Sequence, residues 1–154
     1  MSKKIKKSEA EILEEEAGKG NISALYNLGY IYLLGDGVEK NEAKAVQYFR
    51  RGTTHQDTKC MQALAMCYKN GDGVEKDIKK MIYWLNNGAK LEDAGCQYHL
   101  ALCYETGQGV NADIDMAVSL MKKSAVHNKD ARIWLTNHGY KAPNFFSRLF
   151  GGRQ

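Results

Sequence analysis

The sequence contains little proline, no long apolar run and little excess charge of either sign. One proline stands against 15 glycines, a balance typical of a chain that is mostly uninterrupted helix with glycine at the helix ends. No apolar run approaches the roughly 18 residues that a membrane-spanning helix needs. A net charge of +4 is too small to indicate a nucleic acid partner, and no low-complexity tract indicates disorder. We therefore expect a globular, helical protein without an integral membrane segment.

The start of the chain and its four cysteines bear on the cellular compartment. Lys3, Lys4, Lys6 and Lys7 form a basic cluster with no apolar stretch behind it, unlike a secretory signal. Cysteines in a chain without an export signal are typical of a reducing compartment, where thiols persist. We expect a cytoplasmic protein in which residues 1–7 are a mobile, solvated terminus.

What the sequence has in abundance is internal repetition at a step of 36 residues. Gly-x-Gly-Val segments begin at Gly35, Gly71 and Gly107. The same step relates a leucine, a tyrosine and a short polar residue from repeat to repeat, namely Leu28, Leu64 and Leu100; Tyr32, Tyr68, Tyr104 and Tyr140; and Asn41, Asp77 and Asp113. Agreement at so many positions predicts an array of three repeats with a partial unit at each end.

Each repeat is predicted to form two helices joined by a glycine turn. In the first repeat Leu25, Leu28 and Tyr32 have the i, i+3, i+7 spacing of one helical face. Gly35 is expected to end that helix, because glycine accepts the left-handed conformation. Asn41 is a fitting N-cap for the second helix, since its side-chain oxygen can accept from the unpaired N–H groups. The apolar face of the second helix consists of Ala45, Tyr48, Phe49 and Gly52.

This pattern resembles the Sel1-like repeat family, whose helix–turn–helix units are related to tetratricopeptide repeats (TPRs). The resemblance is carried by residues 24–29, Tyr32, Gly35, Gly37, Val38, Asn41, Ala45, Tyr48 and Phe49. Later repeats depart from it at Ala65 and Ala101, where the family has glycine, and at Met81, where it has a small residue. The resemblance implies an all-α fold, a right-handed α/α solenoid of Sel1-like (TPR-like) helix–turn–helix repeats.

The repeat register also sets the expected organisation of the chain. A solenoid is predicted over residues 8–141, with an N-terminal helix, repeats at 22–57, 58–93 and 94–129, and a final helix at 130–140. The tail at 142–154 has two interpretations, because its apolar residues would share one face of a short helix. It either caps the last repeat or, together with Arg148, docks on a partner or a membrane surface. Those apolar residues are Phe145, Phe146, Leu149 and Phe150.

Two motifs could indicate an enzyme. The Gly-x-Gly turns resemble phosphate-binding loops, but a true loop of that kind occurs once, after a strand, with a lysine at the right offset. These turns occur three times between helices, so we interpret them as structural turns. Ser119 and Lys122 match the S-x-x-K motif of penicillin-interacting enzymes, although the companion motifs of those enzymes are absent. Penicillin hydrolysis has been proposed for some Sel1-like proteins, so a hydrolase of this type remains an alternative.

The cysteines raise a second alternative, a zinc-dependent enzyme. Cys96, His99 and Cys103 are spaced i, i+3, i+7, and Cys60 or Cys67 on an earlier helix could add a thiolate for zinc. Residues seven apart on a helix are separated by about 10 Å, however, which is too far for one tetrahedral ion or for a disulfide. We therefore expect the cysteines to be buried packing residues. The spacing also differs from that of secreted Sel1-like proteins with a disulfide in every repeat. Neither a metal nor a cofactor is predicted.

The favoured function is binding of a protein or peptide. In helical repeat arrays the first helix of each repeat lines the concave side, and the corresponding positions vary between repeats here while the apolar seam does not. Some of these tyrosines could instead pack between helices. The predicted groove residues are Tyr26, Asn27, Tyr30 and Leu33; Gln62, Met66, Lys69 and Asn70; Tyr98, His99, Leu102 and Glu105; and Trp134 and His138.

The role expected from the resemblance is that of a non-enzymatic adaptor, regulator or inhibitor, in a chain whose small size suggests a bacterial protein. One specific form is an immunity protein that covers the active site of a toxin. The partner, the pathway and the oligomeric state are left open by the sequence.

Overall fold

The computed structural model describes residues 7–143. Within that range it contains eight α-helices and no strand, as the sequence predicts. In chain order these are α1 (Glu9–Gly18), α2 (Ile22–Leu34), α3 (Glu42–Thr54), α4 (Thr58–Asn70), α5 (Ile78–Lys90), α6 (Ala94–Thr106), α7 (Ile114–Ser124) and α8 (Lys129–Asn137). The tail residues Phe145, Phe146, Leu149 and Phe150, and the terminal Lys3, Lys4 and Lys6, lie outside the described residues.

The predicted glycine turns end the first helix of every repeat. Gly35, Gly71 and Gly107 follow α2, α4 and α6 with φ angles of 75°, 88° and 72°, in the left-handed region that glycine adopts without a steric penalty. The segment after each turn then hydrogen-bonds back to that first helix. In each repeat the backbone N–H of the N-cap residue donates to the carbonyl of the repeat tyrosine, at 2.7 Å for Asn41 and Tyr32.

The predicted N-caps are confirmed at the start of the second helices. The side-chain oxygen of Asn41 accepts from the Lys44 amide at 2.9 Å, and that of Asp77 accepts from the Lys80 amide at 3.0 Å. Asp113 makes the same contact with the amide of Met116, at 2.9 Å. Each contact pairs a backbone donor that the first helical turn leaves without an intrahelical acceptor.

Helices α1, α3 and α5 also end in the left-handed conformation, two of them without glycine, whereas Ala125 after α7 is in the right-handed region. Gly20, Gln56 and Glu92 follow α1, α3 and α5 at the 36-residue step, with φ angles of 92°, 58° and 61°. The amide of Gln56 donates to Thr53 and the next amide to Gly52, which is the Schellman pattern of helix termination. Gln56 and Glu92 therefore accept a conformation that an L side chain disfavours.

The chain divides into two compact units with a boundary inside α5, between Met81 and Ile82. In the first unit, α2 packs between α1 and α3, and α3 packs on α4. Two glycines permit close approach: a Cβ on Gly29 would lie 2.1 Å from the Phe49 ring, and one on Gly52 would lie 2.2 Å from Cys60 Sγ. The core of this unit includes Leu25, Leu28, Phe49, Leu64 and Cys60, all at most 2% exposed.

In the second unit, α7 packs against both α6 and α8. Its fully buried residues include Leu85, Met121, Leu135 and Ser124, and the Ser124 hydroxyl donates to the Ala94 carbonyl at 2.6 Å. Helix α8 ends at Asn137 rather than at residue 140. The reason is that Gly139 adopts a φ of 76°, which turns the chain back. None of the helices described is long and apolar enough to cross a membrane.

Candidate functional site

The predicted binding residues lie on two surfaces, one in each compact unit. The first, here the α2–α4 face, consists of Tyr26, Asn27, Tyr30, Leu33, Gln62, Met66, Lys69 and Asn70. The second, here the α6–α8 face, consists of Tyr98, His99, Leu102, Glu105, Trp134 and His138. Most of these side chains are half-buried, while Asn27, Lys69, Asn70 and His138 are exposed and Trp134 is buried.

An aromatic cluster forms the centre of the α2–α4 face. The ring centroids of Tyr26 and Tyr30 are 4.9 Å apart, and Phe49 of α3 lies beneath them at 6.4 Å and 5.4 Å respectively. Burial raises the pKa of Tyr30 to about 12, so this hydroxyl is neutral at physiological pH. The two tyrosines thus pack on α3 and also keep part of their surface exposed.

Lysines flank this aromatic cluster. The ammonium of Lys59 lies 5.8 Å from the centroid of the Tyr26 ring, within the range of a cation–π contact, and Lys69 is exposed at the other end of α4. No other charged residue occurs in α2 or α4. Lys59 was not among the predicted groove residues. The repeat register could have indicated it, because it is the equivalent of Ser23, which lies one turn before Tyr26 and Asn27 on α2.

The remaining residues of this face contribute apolar area and amides. Leu33, Gln62 and Met66 are half-buried, and the adjacent Leu34 is 70% exposed. The Asn70 amide donates to the Asp72 carboxylate at 3.0 Å. The face therefore combines apolar and aromatic area with amide groups and cations at its ends.

The α6–α8 face brings three predicted residues into direct contact. The indole N–H of Trp134 donates to one Glu105 carboxylate oxygen at 3.1 Å, and His138 Nε2 lies 3.3 Å from the other. His138 Nδ1 lies 2.8 Å from the Trp134 carbonyl, and the two rings stack at 4.0 Å. Trp134 is only 8% exposed, so it packs within this cluster and exposes little surface to a partner.

Tyr98 and His99 extend the same face along α6. Their ring centroids are 5.4 Å apart with the planes nearly perpendicular, and both side chains are half-buried. Leu102, one turn further along, is half-buried as well.

The cysteines are buried thiols. Cys60, Cys67, Cys96 and Cys103 are at most 4% exposed. Burial raises the pKa of Cys67 to about 11 and moves the pKa of Cys60 and Cys96 in the same direction, which disfavours the thiolate that binds zinc or attacks a substrate. Over residues 7–143, no three His, Cys, Asp or Glu side chains converge in a way that could hold a metal ion.

The residues of the two other enzyme motifs lie on an exposed helix surface and in the turns that end helices. Ser119 and Lys122 are both exposed on α7. In the glycine turns, the amides of Asp36, Asp72 and Gln108 donate to carbonyls of the preceding helix at 3.0 to 3.1 Å. Those amides are therefore already occupied and do not point into a phosphate-binding loop.

The sequence did not indicate a polar cluster in the first unit, which is centred on Glu14 of α1. The Glu14 carboxylate accepts from the Tyr48 hydroxyl at 2.8 Å, the Tyr32 hydroxyl at 3.2 Å and the Lys44 ammonium at 3.2 Å. The Tyr48 bond, followed by the Lys44 ion pair, lowers the pKa of Glu14. This cluster joins α1 to both helices of the first repeat.

Comparison with known proteins gives a consistent family assignment. The Sel1 repeat family model matches residues 22–56, 58–93 and 94–125. A Sel1 repeat protein from Oxalobacter formigenes is 31% identical in sequence, with a TM-score of 0.72, over 81% of this chain and 95% of that one. No curated protein matches the chain at a significant level.

Two further solved structures have the same fold. The protein c5321 of uropathogenic Escherichia coli, described as a protective antigen displaying an SLR fold, is 25% identical with a TM-score of 0.76. The match covers 93% of this chain but only 32% of the E. coli chain, so the present chain spans about a third of that protein. The cysteine rich protein B of Helicobacter pylori is 22% identical, with a TM-score of 0.66 over 83% of this chain and 98% of that one. These similarities confirm the fold class, an all-α helical repeat solenoid.

Proposed function

Because this chain belongs to the Sel1 repeat family, we propose that it binds a protein or peptide partner through the first helices of its repeats. Sel1 repeat proteins are generally protein–protein interaction modules, and the family is a non-enzymatic scaffold. The proposed binding surfaces are the α2–α4 face and the α6–α8 face, both formed by first helices, which line the concave side in helical repeat arrays.

The main support for this proposal is the aromatic cluster of the α2–α4 face. Tyr26 and Tyr30 are held against the fully buried Phe49, so little side-chain entropy remains to be lost when a partner binds. Tyrosines fixed in this way are among the residues that contribute most to binding at protein interfaces. Helix α2 has no charged residue whose desolvation would oppose binding.

The specific role that we propose is that of an adaptor, regulator or inhibitor in a bacterial cytoplasm. A bacterial origin is supported by the three solved structures, which come from bacteria. An immunity protein that covers a toxin's active site is one form of inhibitor compatible with a rigid, aromatic binding surface.

The proposal predicts which substitutions abolish partner binding. Replacing Tyr26, Tyr30, Met66 and Tyr98 by alanine removes contact area from both faces and should abolish capture of the partner in affinity purification with mass spectrometry. Helical circular dichroism should stay close to that of the wild type, because all four side chains are only half-buried.

A matched control variant carries alanine at Gln47, Tyr83 and Ser119, which are equivalent exposed positions of α3, α5 and α7. It should capture the partner as the wild type does. Retained capture by the four-alanine variant would contradict the proposal. The same Ser119→Ala change should leave any hydrolysis by the preparation unaltered, and elemental analysis should find no stoichiometric zinc.

A further inference from the structure

We propose that the α2–α4 face takes an acidic peptide segment that presents apolar side chains between its carboxylates. This inference rests on the binding function proposed above and assigns a chemical class to the partner at one of the two faces. Its basis is the distribution of charge and apolar surface on α2 and α4.

The charge of this face is of one sign. Lys59 and Lys69 are the only charged residues of the two helices, and neither forms an ion pair within residues 7–143. The nearest carboxylates along the chain are already engaged. Asp57 accepts from the Cys60 amide at 2.7 Å as the N-cap of α4, and Asp72 accepts from Asn70. Two ammonium groups are thus available to carboxylates of a partner.

The apolar part of the face lies on the neighbouring helix. Tyr26, Tyr30 and Leu33 follow one another along α2 at i, i+4, i+7, so they form a strip on one side of the helix. Lys59 is placed beside the start of this strip by its contact with the Tyr26 ring. A ligand that meets the lysines along α4 therefore meets the apolar strip along α2.

The spacing of the lysines sets the spacing expected in the ligand. Ten residues of α-helix separate them along the chain, which corresponds to about 15 Å at 1.5 Å per residue. An extended peptide rises about 3.3 Å per residue and its successive side chains point to opposite faces, so about 15 Å on one face corresponds to about four residues. The expected ligand has two carboxylates about four residues apart, with apolar or aromatic side chains between them.

The α6–α8 face does not have this character. Its helix α6 contains no lysine or arginine and one acidic residue, Glu105, while α8 carries charges of both signs, Lys129, Asp130 and Arg132. The carboxylate of Glu105 is held by Trp134 and His138. The preference for an acidic segment therefore belongs to the α2–α4 face, in the first unit.

The test uses a fluorescein-labelled synthetic peptide, Gly-Glu-Ala-Tyr-Ala-Glu-Gly, whose glutamates are about four residues apart and share one face of the extended chain. Its affinity for the full chain is measured by fluorescence anisotropy. A peptide with glutamine in place of both glutamates should bind about tenfold more weakly. The same loss is expected for the Lys59→Glu/Lys69→Glu variant with the acidic peptide. Raising the salt concentration from about 50 mM to about 300 mM should lower the affinity of the acidic peptide several-fold, because salt screens exposed charges.

The control variant is Lys122→Glu/Lys123→Glu, which makes the same charge change at exposed positions of α7 and should leave the affinity unchanged. Equal binding of the acidic and glutamine peptides would overturn the acidic preference. If both then weaken on Tyr26→Ala/Tyr30→Ala, the face still binds peptides and only the present inference fails. Absence of binding by either peptide also overturns it. The proposed function itself fails only if the four-alanine variant described above still captures the native partner.

Discussion

At the scale of single residues, the least expected feature is the role of Glu14 in α1. Its carboxylate accepts from Tyr48, Tyr32 and Lys44, which belong to the first repeat. The pKa of Lys44 is raised to about 12, mainly by its hydrogen bond with Tyr32 and its contacts with Glu14. One carboxylate therefore ties the N-terminal helix to the first repeat, and this tie depends on ionisation.

We predict that the stability contributed by Glu14 depends on pH. Because the folded-state pKa lies below the ordinary value of 4.5, the contribution is fully present above that value and is lost as the pH falls through the folded-state pKa. Glu14→Gln should cost about 1 kcal/mol near neutral pH, a small value because the side chain is 40% exposed. Urea unfolding of both proteins should show this difference near pH 7, and the difference should shrink as the pH falls below 4.5. Glu9→Gln, on the same helix, should change stability by less than about 0.5 kcal/mol, and a pH-independent difference for Glu14→Gln would contradict the prediction.

A second prediction at this scale concerns Gln56 and Glu92, the two residues other than glycine that have positive φ within residues 7–143. Gln56→Gly and Glu92→Gly should each raise the free energy of unfolding by about 0.5–1 kcal/mol, because glycine adopts φ angles near 60° without the steric penalty of a Cβ. Both side chains are exposed, so little packing is lost. The control Lys122→Gly, at an exposed position inside α7, should lower stability by about 1 kcal/mol. Destabilisation by Gln56→Gly of the same size would contradict the account.

At the scale of helices and turns, the sequence predicted most of what is observed. Helix starts and ends are set by local chemistry, by Asn41 and Asp113 as N-caps and by glycines such as Gly35 as terminators, and such signals are readable from a single chain. Because the sequence repeats every 36 residues, each of these signals occurs three times. The end of α8 was less predictable, because it lies beyond the last complete repeat and Gly139 turns the chain after His138.

The glycine turns also make contacts between repeats. One pair of equivalent glycines allows the effect of such a contact to be measured, because only one of the two makes it. Gly37 and Gly73 are equivalent and share a φ of 67°. A Cβ on Gly37 would meet nothing within 4 Å, whereas one on Gly73 would lie 2.3 Å from the backbone carbonyl oxygen of Glu42 at the start of α3.

We therefore predict that Gly73→Ala destabilises the protein more than Gly37→Ala does. Both changes carry the cost of a left-handed alanine, about 1 kcal/mol, and only Gly73→Ala forces a backbone shift, worth a further 1–3 kcal/mol or so. Chemical denaturation of the two variants measures the difference. Equal destabilisation would mean that the turn after α4 does not pack on α3 as described.

At the scale of the whole molecule, the fold could be predicted from the sequence, but the surroundings of the proposed binding residues could be predicted only in part. The repeat register predicts Tyr26 and Tyr30 as groove residues, but their packing on Phe49 depends on a contact between helices that no local pattern encodes. The same holds for Trp134, a buried residue whose indole N–H donates to Glu105 on another helix. Which side chains meet across helices, and so which remain exposed to a partner, follows from packing rather than from periodicity.

The central claim, that partners bind the first helices of the repeats, is tested most directly by site-specific photocrosslinking in cells that express the chain. A photoreactive residue is placed in turn at Tyr26, Gln62 and Tyr98 on α2, α4 and α6, and at the outer positions Gln47, Tyr83 and Ser119 on α3, α5 and α7. All six side chains are at least partly exposed. We expect partner proteins to be crosslinked from the first three positions and not from the other three. Crosslinking from Gln47, Tyr83 and Ser119, with none from Tyr26, Gln62 and Tyr98, would contradict binding at the first helices.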